Sequence, residues 1–139
     1  MQFITNSPEE TEQLGYSIGK SLNTNKTIAL YGGLGMGKTA LTRGIVKGLD
    51  SHDDVSSPTF ALVNEYKGRF NIYHFDMYRV NTWEDLYSTG FFDYIDTGVL
   101  IIEWSENIEN ALPPDAIKIR ITRTSDTERV FEAEGDLQL

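Results

Sequence analysis

Hydrophobic residues recur at helical spacing near the start of the chain. Leu14, Ile18 and Leu22 follow one another at intervals of four residues, which places them on one face of a helix. Ser7 and Pro8 precede this stretch, and a capping serine followed by proline is typical of a helix start. The pattern predicts a helix over residues 8–22 that packs one face inward.

A strand, a glycine-rich loop and a second helix are predicted next. Residues 27–31 form a short apolar run rich in strand-forming side chains, and Gly32 ends it. From Lys38 onward, apolar residues return at helical spacing. These residues are Leu41, Ile45, Val46 and Leu49. The order predicted for this part of the chain is therefore strand, loop, helix.

The sequence pattern in the middle of the chain predicts a β-hairpin and two short helical or irregular segments. Residues 60–66 and 70–76 are strand-like and flank a short connection, residues 67–69, that contains a glycine. Residues 83–86 and 91–94 are predicted to be short helical or irregular pieces.

The last third of the chain predicts more strands. Residues 99–102 form a continuous apolar run, which is typical of a parallel strand buried on both faces. Residues 117–122 and 130–133 alternate apolar with polar side chains and predict an antiparallel pair around residues 124–127. The sum is one α/β domain over residues 1–139, with three layers and a mixed central sheet.

The amino-acid composition excludes several kinds of functional site. The chain has no cysteine, which excludes disulfides, iron–sulfur clusters and thiol nucleophiles. Its 12 Lys and Arg stand against 21 Asp and Glu, and this net charge of −9 disfavours direct binding to nucleic acid. No secretory signal or membrane span is visible in the sequence, so a cytoplasmic protein is expected.

The glycine-rich loop fits a phosphate-binding motif. Residues 32–39 match G-x-x-x-x-G-K-[ST] and lie between a predicted strand and a predicted helix. Backbone N–H groups of such a loop hold phosphate oxygens, while Lys38 supplies a positive charge and Thr39 offers its hydroxyl to Mg²⁺. The motif predicts an ATP and Mg²⁺ site in a P-loop NTPase-like domain. Its predicted nucleotide-binding residues are Gly33, Leu34, Gly35, Met36, Gly37, Lys38, Thr39 and Ala40.

A P-loop site also needs an acidic residue at the end of a neighbouring strand. Glu103 follows the most apolar run and is favoured for the magnesium shell. Asp76 ends the strand-like run before it, and we assign it to water activation or to a switch segment. A solvated carboxylate at a strand end is the alternative for each residue.

Two neighbouring residues allow more than one interpretation. His74 fits either a functional role or a structural hydrogen bond within a strand. Trp104 lies next to Glu103 in the sequence. Its fluorescence could report on nucleotide binding, it could contact a partner protein, or it could be an ordinary packed core residue.

Four stretches together resemble the TsaE (YjeE) family of bacterial tRNA-modification ATPases. They are residues 30–44, 55–60 (Val-Ser-Ser-Pro-Thr-Phe), 73–79 (Tyr-His-Phe-Asp-Met-Tyr-Arg) and 100–104 (Leu-Ile-Ile-Glu-Trp). The resemblance runs in order over nearly the whole chain. It implies a role in forming threonylcarbamoyladenosine beside the tRNA anticodon. It also implies ATP hydrolysis that supports a TsaB–TsaD protein complex, with tRNA contacted only indirectly.

The resemblance also implies roles for individual residues. Glu103 is similar to a magnesium-binding acid and Asp76 to a catalytic or sensing acid. Thr59, in a segment that resembles switch I, is implied to reach the γ-phosphate or its metal. Thr11 and Arg129 match positions that approach the nucleotide. The implied catalytic set is Lys38, Thr59 and Asp76.

Three other functions compete with this interpretation. A small-molecule kinase usually needs an arginine-rich lid, and the six arginines of this chain form no such cluster. A GTP-dependent switch commonly carries Asn-Lys-x-Asp after the loop, whereas Asn25 and Lys26 precede it. A binding module with a decayed site is disfavoured because the lysine, the threonine and both acids are present. We expect slow ATP hydrolysis by the protein alone.

Overall fold

The computed structural model describes residues 1–32, 37–55, 63–137 and 139. These residues form one seven-stranded sheet with helices on both faces. The strands are β1 (Gln2–Thr5), β2 (Thr27–Tyr31), β3 (Val63–Lys67), β4 (Asn71–Asp76), β5 (Val99–Glu103), β6 (Ile117–Arg123) and β7 (Arg129–Glu134). The helices are α1 (Pro8–Ser21), α2 (Lys38–Gly48), α3 (Trp83–Ser88) and α4 (Phe91–Tyr94), with a 3₁₀ helix at Ser105–Ala111.

The strand order is β1-β7-β6-β2-β5-β4-β3. Strand β2 runs parallel to both of its neighbours, β5 and β6, and β4 runs parallel to β5. The outer pairs β3–β4, β6–β7 and β1–β7 are antiparallel. Because β2, β4 and β5 are parallel, their carboxyl ends meet at one edge of the sheet, where ligands bind in open α/β folds.

Helices cover both faces of the sheet. One core packs α1 and α2 against side chains such as Ile28, Ile101 and Ile119. The other packs Leu86, Phe91 and Ile108 against the opposite face. All residues of β2 and β5 are buried, as expected for central strands covered on both faces. The predicted three-layer α/β fold with a mixed sheet is confirmed.

Helices α1 and α2 approach each other through glycines. A Cβ atom added to Gly15 would lie 2.3 Å from the carbonyl oxygen of Leu41, and one added to Gly44 would lie 2.0 Å from that of Glu12. Gly19 and Gly48 face the partner helix backbone in the same way. Larger residues at these positions would force the helices apart. The glycines therefore fix the position of α2, whose first residue is Lys38.

The predicted elements match most of those observed. The first helix, the strand over 27–31, the helix from Lys38, the hairpin, both short helical pieces and the C-terminal strand pair are all present. The predicted strand over 60–66 begins among residues outside the described part of the chain. Strand β1 (Gln2–Thr5) and the 3₁₀ helix at Ser105–Ala111 were not predicted from the sequence. Among the described residues, no helix has the length and apolar character needed to cross a bilayer.

Candidate nucleotide-binding site

The motif loop leads directly from β2 into α2. Gly37, the residue before the helix, has φ 97° and ψ 15°, in the left-handed region that favours glycine. Helix α2 then starts at Lys38, so its N-terminal N–H groups point toward the loop. The predicted phosphate contacts Gly33, Leu34, Gly35 and Met36 lie outside the described residues, as does Thr59. Thr39 and Ala40 are half-buried in the first turn of α2.

The Lys38 side chain is held between a carbonyl group and an aromatic ring. Its Nζ donates a hydrogen bond to the Gly32 carbonyl oxygen at 2.8 Å. The same atom lies 4.5 Å from the ring centroid of Trp104. Lys38 is 5% exposed, and a buried ammonium needs such polar or cation–π partners. The lysine of the motif therefore lies at the carboxyl ends of both β2 and β5.

Trp104 reaches Lys38 because the chain turns sharply after β5. Its backbone has φ 60° and ψ 42°, a left-handed conformation that is uncommon for a bulky side chain. The Trp104 ring also contacts the ring of Tyr78, with centroids 5.0 Å apart. A single strained residue thus brings the segments after β4 and β5 to the end of the motif loop.

The two predicted acidic residues occupy partner positions on adjacent parallel strands. Asp76 ends β4 and is paired in register with Glu103, the last residue of β5. The backbone N–H of Met77 donates to the Glu103 carbonyl oxygen at 3.1 Å. Asp76 accepts a hydrogen bond from the backbone N–H of Tyr78 at 2.9 Å. Both carboxylates therefore lie at the sheet edge that also carries Gly32.

His74 connects Glu103 to the interior. Its Nε2 lies 2.6 Å from Oε2 of Glu103, and its Nδ1 lies 3.4 Å from the Tyr66 hydroxyl oxygen. His74 is fully buried, and Glu103 is 7% exposed. A carboxylate only accepts hydrogen bonds, so Nε2–H is the donor to Glu103. The sequence left the role of His74 open, and the structure shows that it orients this acid.

The donor chemistry at this edge suits Mg²⁺. Magnesium prefers hard oxygen ligands and is usually held by one or two carboxylates, phosphate oxygens and water. Glu103 and Thr39 provide a carboxylate and a hydroxyl of that kind. Among the described residues there is no group of three or more His, Cys, Asp or Glu side chains able to hold a metal by themselves.

Thr11 lies against the last residue of the motif loop. Its Cγ2 is 3.9 Å from the position of a Cβ atom built on Gly37, and its Oγ1 lies 2.7 Å from that of Thr5. Thr5 is paired in register with Arg129 across β1 and β7. The Arg129 guanidinium donates to carbonyl oxygens of its own turn, including that of Ser125 at 3.0 Å. The structure thus brings Thr11 to the loop, while the Arg129 side chain is engaged within the β6–β7 turn.

Residues 5–131 match the family model described as "Threonylcarbamoyl adenosine biosynthesis protein TsaE". The chain belongs to the TsaE family. It is 42% identical over 114 residues to the TsaE protein of Haemophilus influenzae, covering 78% of this chain and 72% of that protein. It is 36% identical over 141 residues to TsaE of Bacillus subtilis, covering 98% and 87%. For TsaE of Treponema pallidum the identity is 33% over 130 residues, covering 93% and 96%.

A solved crystal structure shares the fold. The chain superposes on the crystal structure of Bacillus subtilis YdiB with a TM-score of 0.72 and 32% identity. The match covers 94% of this chain and 82% of the YdiB chain. The resemblance drawn from the four sequence stretches is therefore confirmed. This TsaE chain belongs to a family of tRNA threonylcarbamoyladenosine biosynthesis.

Proposed function

We propose that this TsaE-family chain binds ATP with Mg²⁺ and hydrolyses it as an accessory protein in threonylcarbamoyladenosine formation. The observation that carries the proposal is the buried Lys38 ammonium at the start of α2, at the same sheet edge as two strand-end carboxylates. Lysine, helix N-terminus and acids are the parts that a P-loop NTPase uses. Such a protein acts in the cytoplasm, where tRNA is modified.

Each of these residues has a distinct task in the proposed site. Lys38 exchanges its contacts with Gly32 and Trp104 for the β and γ phosphates. Thr39 and Glu103 would hold a magnesium ion, which would neutralise charge on the phosphate oxygens. Asp76 orients the attacking water from the neighbouring strand end. His74 keeps the Glu103 carboxylate in place through its Nε2–H.

No arginine is paired with the lysine or the acids of the described site, which supports a requirement for partner proteins. No hydrogen bond or ion pair among the described residues joins an arginine to Lys38, Asp76 or Glu103. Arg69, for example, is bound to the carbonyl oxygens of Gly19 and Gly48. Transition-state charge on a transferred phosphoryl group is commonly stabilised by an additional arginine. We therefore assign the stimulation of hydrolysis to a TsaB–TsaD complex, and contact with tRNA to that complex.

The test is ATP hydrolysis by the pure protein, alone and with purified TsaB and TsaD. Lys38→Ala is the inactive variant, and Lys47→Ala is its matched control. Lys47 lies on the same helix, is exposed and pairs with Glu12 at the surface. We expect the partners to stimulate the wild type and Lys47→Ala but not Lys38→Ala, which also loses tight nucleotide binding.

Two results would contradict the proposal. Unchanged ATP affinity in Lys38→Ala would overturn the nucleotide site. Tight ATP binding by the wild type without stimulation by TsaB and TsaD would keep the site but overturn the accessory role. A screen for phosphate transfer to small metabolites would then test the kinase alternative.

A further inference from the structure

Three aromatic side chains form an exposed cluster on α3 and α4. Trp83, Tyr87 and Phe92 are 54%, 66% and 36% exposed. Their ring centroids lie 6.3 Å apart for Trp83 and Phe92, with the rings stacked, and 5.1 Å apart for Tyr87 and Phe92. We call these three residues the aromatic face. Clustered exposed aromatic residues are enriched at protein interfaces and rare elsewhere on a soluble surface.

A cleft of about 180 Å³ borders the aromatic face. Trp83 belongs to both, and the apolar side chains Leu86 and Ile108 also line the cleft. Glu106 and Glu109 lie on the 3₁₀ helix at the same cleft. Glu109 accepts hydrogen bonds from Lys118 and Tyr31, whereas Glu106 has no hydrogen-bond or ion-pair partner among the described residues. The cleft thus combines an apolar lining with an available carboxylate.

The sequence around the aromatic face and the cleft carries negative charge and no positive charge. Between Arg79 and Lys118 the sequence contains eight acidic residues and no Lys or Arg. The exposed acids nearest in sequence to the aromatic face and the cleft are Glu84, Asp85, Asp93 and Glu106. Such a surface repels nucleic-acid phosphates and anionic lipid. It also disfavours a second copy of the chain, because the same acids would face one another.

We propose that the aromatic face and the adjoining cleft form a docking surface for a protein that presents Lys or Arg side chains around an apolar centre. The rings supply the large, rigid contact area typical of interface hot spots. The cleft accepts one long basic side chain, with its aliphatic stem against Leu86 and Ile108 and its charged end at Glu106. Opposite charges around the contact steer the partner and fix its orientation.

The docking surface is joined to the nucleotide site by Asn107. This residue lines the cleft, and its Nδ2 donates to the carbonyl oxygens of Met77 and Tyr78 at 2.9 and 3.3 Å. Tyr78 in turn packs on Trp104, which contacts Lys38. A side chain inserted in the cleft therefore contacts a residue that holds the segment following Asp76. Docking and phosphate binding are connected through a short chain of direct contacts.

The occupant to be tested is the TsaB–TsaD complex. This choice of occupant rests on the proposed function, whereas the required charge and shape follow from the aromatic face and the cleft alone. The experiment measures binding of the purified complex by isothermal titration calorimetry in the presence of ATP and Mg²⁺. The variants are the double substitution Trp83→Ala with Tyr87→Ala, and the charge reversal Glu106→Lys. The matched controls are Tyr16→Ala, an exposed tyrosine on α1, and Asp54→Lys, an exposed acid in the loop after α2.

We expect the aromatic double variant and Glu106→Lys each to weaken binding by about tenfold or more. The two controls should bind as the wild type does. Circular dichroism and ATP affinity of the free protein should be unchanged in every variant, because the substituted side chains are exposed and lie outside the nucleotide site. Raising the salt concentration should weaken wild-type binding more than that of Glu106→Lys.

The possible outcomes distinguish a failure of the proposed docking surface from a failure of the proposed function. Wild-type affinity in both the aromatic double variant and Glu106→Lys would overturn the docking surface and leave the proposed function intact. Absence of wild-type binding to the complex would overturn this occupant together with the proposed partnership. Sedimentation velocity supplies a further result. Self-association of the wild type that the aromatic double variant abolishes would assign the surface to a second copy of the chain and overturn the inference.

Discussion

The Nε2 atom of His74 lies 2.6 Å from the Oε2 atom of Glu103, and both side chains are buried at the end of β5. Glu103 therefore has one oxygen fixed by the protein interior, which leaves its remaining acceptor capacity for a ligand at the sheet edge. If Glu103 holds magnesium as proposed, His74 is the partner that orients the ligand, and loss of such a partner typically lowers metal affinity by about 10–100-fold. The pair gives His74 a positioning role.

Substitution of His74 should weaken magnesium binding without removing the nucleotide site. We expect His74→Ala to raise the Mg²⁺ concentration needed for half-maximal ATP hydrolysis by about 10–100-fold. His74→Gln keeps a side-chain N–H donor and should recover much of the loss. ADP affinity measured without metal is the control, and it should change little. A purely structural role would lower stability in both variants without separating Ala from Gln in the magnesium titration.

Glu103 and Asp76 should be separable by their dependence on metal. Glu103→Gln should raise the Mg²⁺ requirement for ATP binding while leaving ADP binding without metal nearly unchanged. Asp76→Asn retains an oxygen that can accept from the Tyr78 N–H, so folding is preserved. It should keep Mg²⁺-dependent binding but lower kcat by about 100-fold or more, because a water-activating carboxylate is lost. The reverse result, with the magnesium effect in Asp76→Asn alone, would show that the two roles are exchanged.

Trp104 should report on the movement of Lys38. The chain has two tryptophans, so Trp83→Phe leaves Trp104 as the single tryptophan. In the proposed site, ATP draws the Lys38 ammonium from the Trp104 ring to the phosphates, so the emission of Trp83→Phe should change on titration. The matched variant Trp104→Phe, which retains only Trp83, should show little change. Constant emission from Trp83→Phe at saturating ATP, with binding verified by calorimetry, would exclude this movement.

The sequence predicts those elements whose formation depends on local pattern. Helix α1 has its own cap at Ser7, and β2 and β5 are continuous apolar runs, so local residues identify them. Strand β1 has four residues and, within the described part of the chain, pairs with β7 alone, which lies far away in the sequence. Its pairing with β7 is a tertiary contact that no short window contains. The 3₁₀ helix at Ser105–Ala111 follows the left-handed turn at Trp104, a conformation that the sequence does not signal.

The sequence predicted which residues belong to the candidate site. It did not predict which of their side chains contact one another. Spacing and residue type identified Lys38, Asp76 and Glu103, because the motif and the strand ends are sequence features. The contact of Lys38 with Trp104 and the pairing of His74 with Glu103 depend on the neighbouring positions of β2, β4 and β5. Strand order is set by packing over the whole sheet. The pattern of one strand carries no information about which strand lies beside it.

Tyr31, the residue before Gly32, forms a partly buried hydrogen bond whose strength depends on pH. Its hydroxyl donates to Glu109, and Arg120 lies over its ring at 5.0 Å. Burial raises the pKa of Tyr31 above its ordinary value of 10.0, and the hydrogen bond to Glu109 adds to this shift. The hydrogen bond from Lys118 lowers the pKa of Glu109, with a further contribution from Tyr31.

These shifts set the sign of a stability change at alkaline pH. A phenol whose pKa is higher in the folded state stabilises the protein fully below about pH 10, and that contribution is lost as the pH rises further. The free energy of unfolding of the wild type should therefore fall more steeply above pH 10 than that of Tyr31→Phe. At neutral pH, Tyr31→Phe should cost about 1 kcal/mol for the lost hydrogen bond. The lowered pKa of Glu109 also stabilises the folded state, but this contribution is lost in the other direction, as the pH falls below about 4.5.

Urea unfolding at pH values from 7 to 11 measures this difference, with Tyr78→Phe as the matched control. Tyr78 is 57% exposed, so its substitution should leave the alkaline slope of the wild type unchanged. Parallel alkaline slopes for the wild type and Tyr31→Phe would mean that the Tyr31 hydroxyl titrates equally in the folded and unfolded states. In that case its contact with Glu109 would contribute nothing to the pH dependence of unfolding.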